Sequence, residues 1–166
     1  MKCSLDTCFL IDWARYRRRE ILAKLFDYCF IVDEIFREIK SEYTIRYISK
    51  LLEEGFLVIY PFKDRLEDII RKLIDISARD PRIKTLDPPE TYALAIGLYE
   101  NAIVLTENKG VLNLTRLYPE YSNVKVWRSV EVLREAYNKG LIRDFYEELR
   151  NYEVDTGHKF PRIQRR

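Results

Sequence analysis

Histidine is almost missing from this 166-residue chain: His158, near the C-terminus, is alone. An imidazole-rich metal centre and any Ser-His-Asp or Cys-His arrangement therefore lack support, and His158 reads as a surface residue. Cysteine is scarce too, with Cys3, Cys8 and Cys29 and no C-x-x-C spacing. An odd, scattered set argues against a disulfide framework and against zinc, and all three read as small buried hydrophobes. Glycine occurs five times, and neither G-x-x-x-x-G-K-[ST] nor G-x-G-x-x-G is present, which leaves Gly-rich nucleotide loops unsupported. No apolar run reaches the ~18 residues of a membrane span, and the N-terminus passes straight into Asp6 without a signal pattern. The expectation is a cytoplasmic protein with no membrane association.

What is present describes one globular domain. The chain is 47% hydrophobic and 34% charged, enough to bury a core and too apolar for disorder. Its net charge of +2 is nearly balanced, but cations cluster locally. Arg15, Arg17, Arg18 and Arg19 form one group, and Lys159, Arg162, Arg165 and Arg166 another. Such runs read either as solvated faces or as contacts for a polyanion.

Periodicity divides the chain into alternating strands and helices. Residues 2–5 read as a buried strand, followed by a helix over 7–16 with apolar Phe9, Leu10, Trp13 and Ala14. A helical segment over 20–27 precedes the strand YCFIV at 28–32. Asp33 and Ser41 are suited to cap the next two helices, Gly55 to stop the second, and FLVIY at 56–60 to form a strand ended by Pro61. Residues 64–78 are amphipathic, ARDPRIKTLDPP is a loop, 90–100 is helical, and AIVLT at 102–106 is the cleanest buried strand. A short helix through Leu117, a strand VKVW at 124–127, and helices over 129–138 and 141–151 hinged at Gly140 complete the pattern. Strands alternating with helices predict an α/β fold, a three-layer α/β/α sandwich with a mostly parallel central sheet. A helical pair and basic tail at 129–166 follow the core at 1–128.

In such a sheet the chemistry sits beyond the C-terminal strand ends. Asp6 follows the first strand there and Glu107 follows AIVLT, so if those strands are neighbours two carboxylates converge. Two such charges about 5 Å apart repel by roughly 3 kcal/mol at an effective dielectric near 20, a cost that a hard cation relieves. With no histidine or paired cysteine at hand, the ion implied is Mg²⁺ or Mn²⁺. Asp6 reads equally as the N-cap of the helix it precedes. Asp12 reads as a helix-surface residue and Glu34 as a first-turn partner of the helix dipole.

The order SLDT, CFIVDEIFREI, LDPPETYALA and AIVLTENKG resembles the PIN-domain nucleases, in particular an archaeal and bacterial subgroup that ends in a helical pair, here SVEVLREAYNKGLIRDFYEELRNYEV. The resemblance covers the chain to about Phe160. It implies a metal-dependent ribonuclease and, in many members, the toxin of a VapC-type toxin–antitoxin pair and a homodimer. Matched position by position, it makes Asp6, Glu38, Glu90 and Glu107 the catalytic and metal-binding acids, with IFREI selecting Glu38 over Glu34. Thr7, Thr106 and Asn108 take supporting positions, holding water at the metal or a phosphate oxygen, while both threonines also fit ordinary capping. Asp87 is either the N-cap of a helix with Pro88 in its first turn or an additional ligand. Two departures stand out: glutamate at 107 with asparagine at 108, where the family usually carries aspartate, and the Pro88-Pro89 pair, where the subgroup often has a glycine just before Glu90.

The implied chemistry is attack of metal-activated water on a phosphodiester, with Arg15, Arg17, Arg18, Arg19 and Lys109 holding the RNA backbone around an acidic pocket. Three other readings stay open. One is a catalytically decayed PIN-like module that binds RNA or protein. Another is a different doubly wound phosphoryl-transfer or receiver domain, against which the absence of D-x-D-x-T counts. The last is a dimerisation unit, for which Tyr43 and Tyr47 offer a one-sided seam.

Overall fold

Runs of two to four residues, mostly apolar and too short for helices, make the sheet. The structure, a computed structural model, describes residues 1–161. Its strands are β1 (Lys2–Leu5), β2 (Tyr28–Ile31), β3 (Leu57–Ile59), β4 (Ile103–Leu105) and β5 (Val126–Trp127). They lie in the order β3-β2-β1-β4-β5, and every pairing is parallel. Parallel neighbours need crossovers, which the helices supply: α1 (Thr7–Arg15), α2 (Ile21–Leu25), α3 (Ile35–Glu38), α4 (Glu42–Glu53), α5 (Glu67–Arg79), α6 (Pro88–Glu100), α7 (Lys109–Leu117), α8 (Ser129–Asn138) and α9 (Phe145–Thr156). The fold is a three-layer α/β/α sandwich with an all-parallel sheet.

The sheet is apolar on both faces because helices cover both. Helix α6 lies against β1, β2 and β4, with α5 outside it. Close approach is possible because Gly97 faces Val104: a β-carbon there would lie 2.2 Å from the valine methyl. The pair α8–α9 packs back onto the core, α9 on α1 and α8 on α2 and β5. Trp13, Tyr16 and Tyr152 interlock at that seam with centroid separations of 5.1–5.6 Å. No helix among the described residues is long and apolar enough to cross a membrane.

Several expectations need correction. Cys3 and Cys29 are opposite one another in the β1–β2 register, Cα atoms 4.5 Å apart, and the structure joins them as a disulfide; Cys8 is exposed. Spacing along the chain could not show this, because the pairing is created by strand register. Asp33 does not cap α3: its carboxylate meets Lys63, and α3 is a single turn ending at Glu38. Ser41 does cap α4, accepting the Thr44 N–H at 3.5 Å. The second helix of the hairpin starts at Phe145 rather than Leu141, because Asp144 caps it by accepting from the N–H groups of Tyr146 and Glu147. Arg162, Arg165 and Arg166 of the basic tail lie outside the described residues.

Candidate active site

The two central strands, β1 and β4, are hydrogen-bonded neighbours, and each runs straight into a polar residue at its C-terminal end. Asp6 continues β1, its N–H donating to Leu105 O at 3.3 Å, and is 1% exposed. Its two carboxylate oxygens do different things. Oδ1 accepts the Phe9 N–H at 2.7 Å and caps α1, while Oδ2 is buried without a hydrogen-bond partner. Beside it the Thr7 hydroxyl is likewise buried and unpartnered. Burial pushes the Asp6 carboxyl up to about 7; the Thr106 hydroxyl and the Phe9 N–H oppose that, and the Glu90 and Glu107 carboxylates add to it. Those two acids are thus close enough to be felt, although they are about 84 and 101 positions away in sequence.

Glu107 follows β4, whose next residue Thr106 is fully buried and accepts the Asn108 N–H at 3.0 Å. The Glu107 Oε1 accepts the Ser129 N–H at 2.7 Å and also the Ser129 hydroxyl, which ties the end of β4 to the start of α8. Its Oε2 lies 3.6 Å from His158 Nε2. A carboxylate at a helix N-terminus meets unsatisfied N–H groups and the positive end of the dipole, so the extra methylene of glutamate is accounted for by the reach to Ser129.

Glu90 sits at the third position of α6, mostly buried, and both its oxygens are engaged: Oε2 accepts the Asp87 N–H at 3.0 Å and Oε1 accepts from Asn108 Nδ2. Burial raises its carboxyl, opposed by those two donors and by Lys84. Asp87 occupies the N-cap position with Pro88 at the first helical position, which suits a ring lacking an N–H. Asn108 is bifunctional, since its Oδ1 caps α7 through Gly110 and Val111 while its Nδ2 holds Glu90. Gly110 is required there, because a β-carbon would stand 2.5 Å from Lys84 O. Glu38, exposed at the end of α3, borders a cavity of about 40 Å³ together with Thr7, Cys8, Asp87, Pro89 and Glu90. Glu34 is turned to Lys63 at 2.7 Å.

Acids from β1, α3, α6 and β4 thus surround one edge of the sheet. A family model described as a PIN domain matches residues 3–156. The chain belongs to the PIN-domain family. Among curated proteins and among solved structures, no match is found. PIN domains are typically nucleases and generally use divalent metals, so this chain's acids can be tested against that chemistry.

Hard cations take oxygen donors, and the PIN site presents a buried Asp6 Oδ2 and Thr7 hydroxyl without hydrogen-bond partners, with Thr7, Glu38 and Glu90 lining a cavity of about 40 Å³. That donor set fits Mg²⁺ or Mn²⁺. The fit is to a nucleus rather than a finished cage: among the described residues no three His, Cys, Asp or Glu side chains are grouped for a metal. Glu90 and Glu107 spend their oxygens on Asp87, Asn108 and Ser129. Burial lifts the Cys8 thiol to about 11, with Asp6, Glu90 and Glu38 adding to it.

The arginine cluster is divided by the fold. Arg17 makes a two-pronged pair with Asp155, Nη2 to Oδ1 at 2.7 Å, and Arg18 holds Glu148 at 3.0 Å and Leu141 O at 2.8 Å. Arg19 donates to Ala14 O at 3.0 Å and lies 4.8 Å from the Tyr43 and Tyr47 ring centroids, so that tyrosine face is built around a cation. Arg15 and Arg17 are both exposed, but Arg15 is only loosely paired, with Asp12 at 3.8 Å. Lys109, the first residue of α7, is exposed.

Sequence reasoning missed three residues of this PIN site. Ser129 was visible as the start of a helix, though not its partner. His158, read as a surface residue, is three-quarters buried and turned back by Gly157 in the left-handed conformation (φ 79°); that glycine was the one available signal. Lys84 lies in the loop before α6, which carries no periodicity to orient it.

Proposed function

We propose that the protein is a metal-dependent endoribonuclease that hydrolyses phosphodiester bonds. The observation that carries this reading is the buried, unpartnered Asp6 Oδ2 at the C-terminal end of β1, within electrostatic reach of Glu90 and Glu107. A divalent cation bound there supplies an activated water and neutralises developing charge on the phosphate. The chain's own residues orient and exclude. Asp6 and Thr7 would provide the inner oxygen donors, Glu38, Glu90 and Glu107 the outer acidic wall. Ser129 and Asn108 fix the rotamers of Glu107 and Glu90 by hydrogen bonds. Lys84, Lys109 and Arg15 are the exposed cations suited to draw phosphates to an acidic pocket. A toxin role with a cognate antitoxin, a homodimeric state and a cytoplasmic location accompany this proposal through the family resemblance.

A second reading, a PIN-like binding module without catalysis, draws on the prior engagement of Glu90 and Glu107 in helix capping. The two separate in one experiment. Labelled single-stranded RNA is incubated with the purified protein in Mn²⁺ and in EDTA, alongside Asp6→Asn, with Mn²⁺ binding followed by calorimetry. Asparagine still caps α1, so the variant folds. Mn²⁺ binding and Mn²⁺-dependent cleavage in the wild type, with cleavage lowered about 100-fold or more in the variant, support the nuclease. Absence of both from the wild type leaves the binding module.

A further inference from the structure

Helices α8 and α9 form a hairpin turned at Gly140 (φ 70°), and a cavity of about 510 Å³ opens between them at the turn end. Its walls are aromatic and cationic: Tyr137 and Asn138 from the end of α8, Phe145 and Tyr146 from the start of α9, with Arg134 and Arg143 beside them. The Arg134 guanidinium stands over the Phe145 ring at 5.4 Å, Phe145 meets Tyr146 edge-on at 5.5 Å, and Tyr137 is tilted to Phe145 at 6.3 Å.

Phe145 and Tyr146 are half-buried and pack on the core, while Tyr137 stands out from it. Leu133, Ala136, Ile142 and Leu149 are buried in and around the hairpin, whereas Tyr137 remains 48% exposed. Arg134 and Arg143 make no ion pair with a described carboxylate, unlike Arg17 and Arg18 on the neighbouring face. Asp144, the acid in the wall, has its Oδ1 directed to the N–H groups that open α9. Aromatic faces flanked by guanidinium groups suit a ligand that is flat and carries anionic charge close to its ring.

We infer that this hollow is a nucleotide-binding subsite that stacks a base of single-stranded RNA on Tyr137 and Phe145 while Arg134 and Arg143 contact the adjoining phosphates. The inference rests on the ribonuclease reading and adds a second point of substrate contact. Helix α8 links the two places: its first residue, Ser129, holds Glu107, and Tyr137 lies about 12 Å further along the axis at ~1.5 Å per residue. A strand of a few nucleotides spans that interval, so a base held at the hairpin would set which phosphate reaches the acids.

The test uses the full chain. A fluorescent single-stranded RNA is titrated in EDTA by anisotropy against wild type, Tyr137→Ala, Tyr137→Phe, and Arg134→Gln with Arg143→Gln. Cleavage in Mn²⁺ is followed on a long RNA and on one too short to reach the hairpin, with circular dichroism confirming folding. Loss of about 5- to 100-fold in affinity with Tyr137→Ala and with the arginine variant, retention with Tyr137→Phe, and unchanged cleavage of the short RNA are expected. Cleavage by the wild type with unaltered RNA affinity in the folded Tyr137→Ala and arginine variants overturns the subsite and leaves the nuclease standing. A wild type that neither binds nor cleaves RNA overturns both readings. Tight RNA binding that these variants lose, without cleavage by any form, retains the subsite and overturns the nuclease.

Discussion

Asp6 holds two roles on separate oxygens, which makes them separable by mutation. Its Oδ1 caps α1, a task asparagine performs equally well, whereas Oδ2 is buried without a hydrogen-bond partner of good geometry, so that ionising it is costly even with the Thr106 hydroxyl near the carboxylate. Because burial lifts the carboxyl to about 7 from the ordinary 3.8, the folded protein holds this proton more tightly than the unfolded chain does. The stability linked to it is therefore fully present below about pH 4 and is lost as the pH rises through about 7. In EDTA, urea denaturation of the wild type at pH 5 and pH 8.5 should show a larger loss of stability than the same comparison on Asp6→Asn. Equal losses would mean that Asp6 is ionised at no net cost. At pH 8.5 Asp6→Asn should be the more stable of the two when metal is absent, since it deletes the uncompensated charge and keeps the cap.

At the scale of elements, the hairpin is held to the core by polar contacts from one short segment. Tyr16 donates to Glu148 at 2.6 Å, Arg18 bonds the other oxygen of the same carboxylate, and Arg17 grips Asp155. Glu148→Ala leaves the Tyr16 hydroxyl buried without an acceptor, so it should destabilise by about 1–3 kcal/mol in urea melts. Glu148→Gln, which can still accept from Tyr16, should cost less. On the opposite face the limit is steric: Gly97→Ala drives a methyl into Val104 and should cost about 1–3 kcal/mol, seen as a lower melting temperature with an unchanged circular dichroism spectrum at 20 °C. These elements were legible in the sequence because their signals are local. YCFIV, AIVLT and the stop at Gly55 depend on short-range periodicity and backbone freedom. The partners of Arg17, Arg18 and Cys3 were not legible, since they lie about 138, 130 and 26 positions away and are fixed only when strand register and hairpin docking are.

Across the whole molecule, the same distinction explains what could be read of the site. Asp6 and Glu107 were identifiable as residues that follow strands, and the parallel β1–β4 pairing joins them. Ser129 enters the site as the first residue of α8 and His158 from the segment just past α9, and no motif foretold either. The fold also redistributes the cations. Arg17, Arg18 and Arg19 are engaged with Asp155, Glu148 and the two tyrosines, which leaves Lys84, close enough to act on Glu90, and the exposed Arg15 and Lys109 as looser charge, with Arg134 and Arg143 at the hairpin. Each phosphate neutralised on a single strand contributes about −0.7 to the slope of log K against log salt concentration. Three to five contacts therefore predict a slope of about −2 to −3.5 for single-stranded RNA. Replacing Arg134 and Arg143 by glutamine should flatten it by about 1.4, whereas Arg17→Gln should leave the slope unchanged while lowering stability. A wild-type slope steeper than about −5 would show that the RNA meets cations beyond these five.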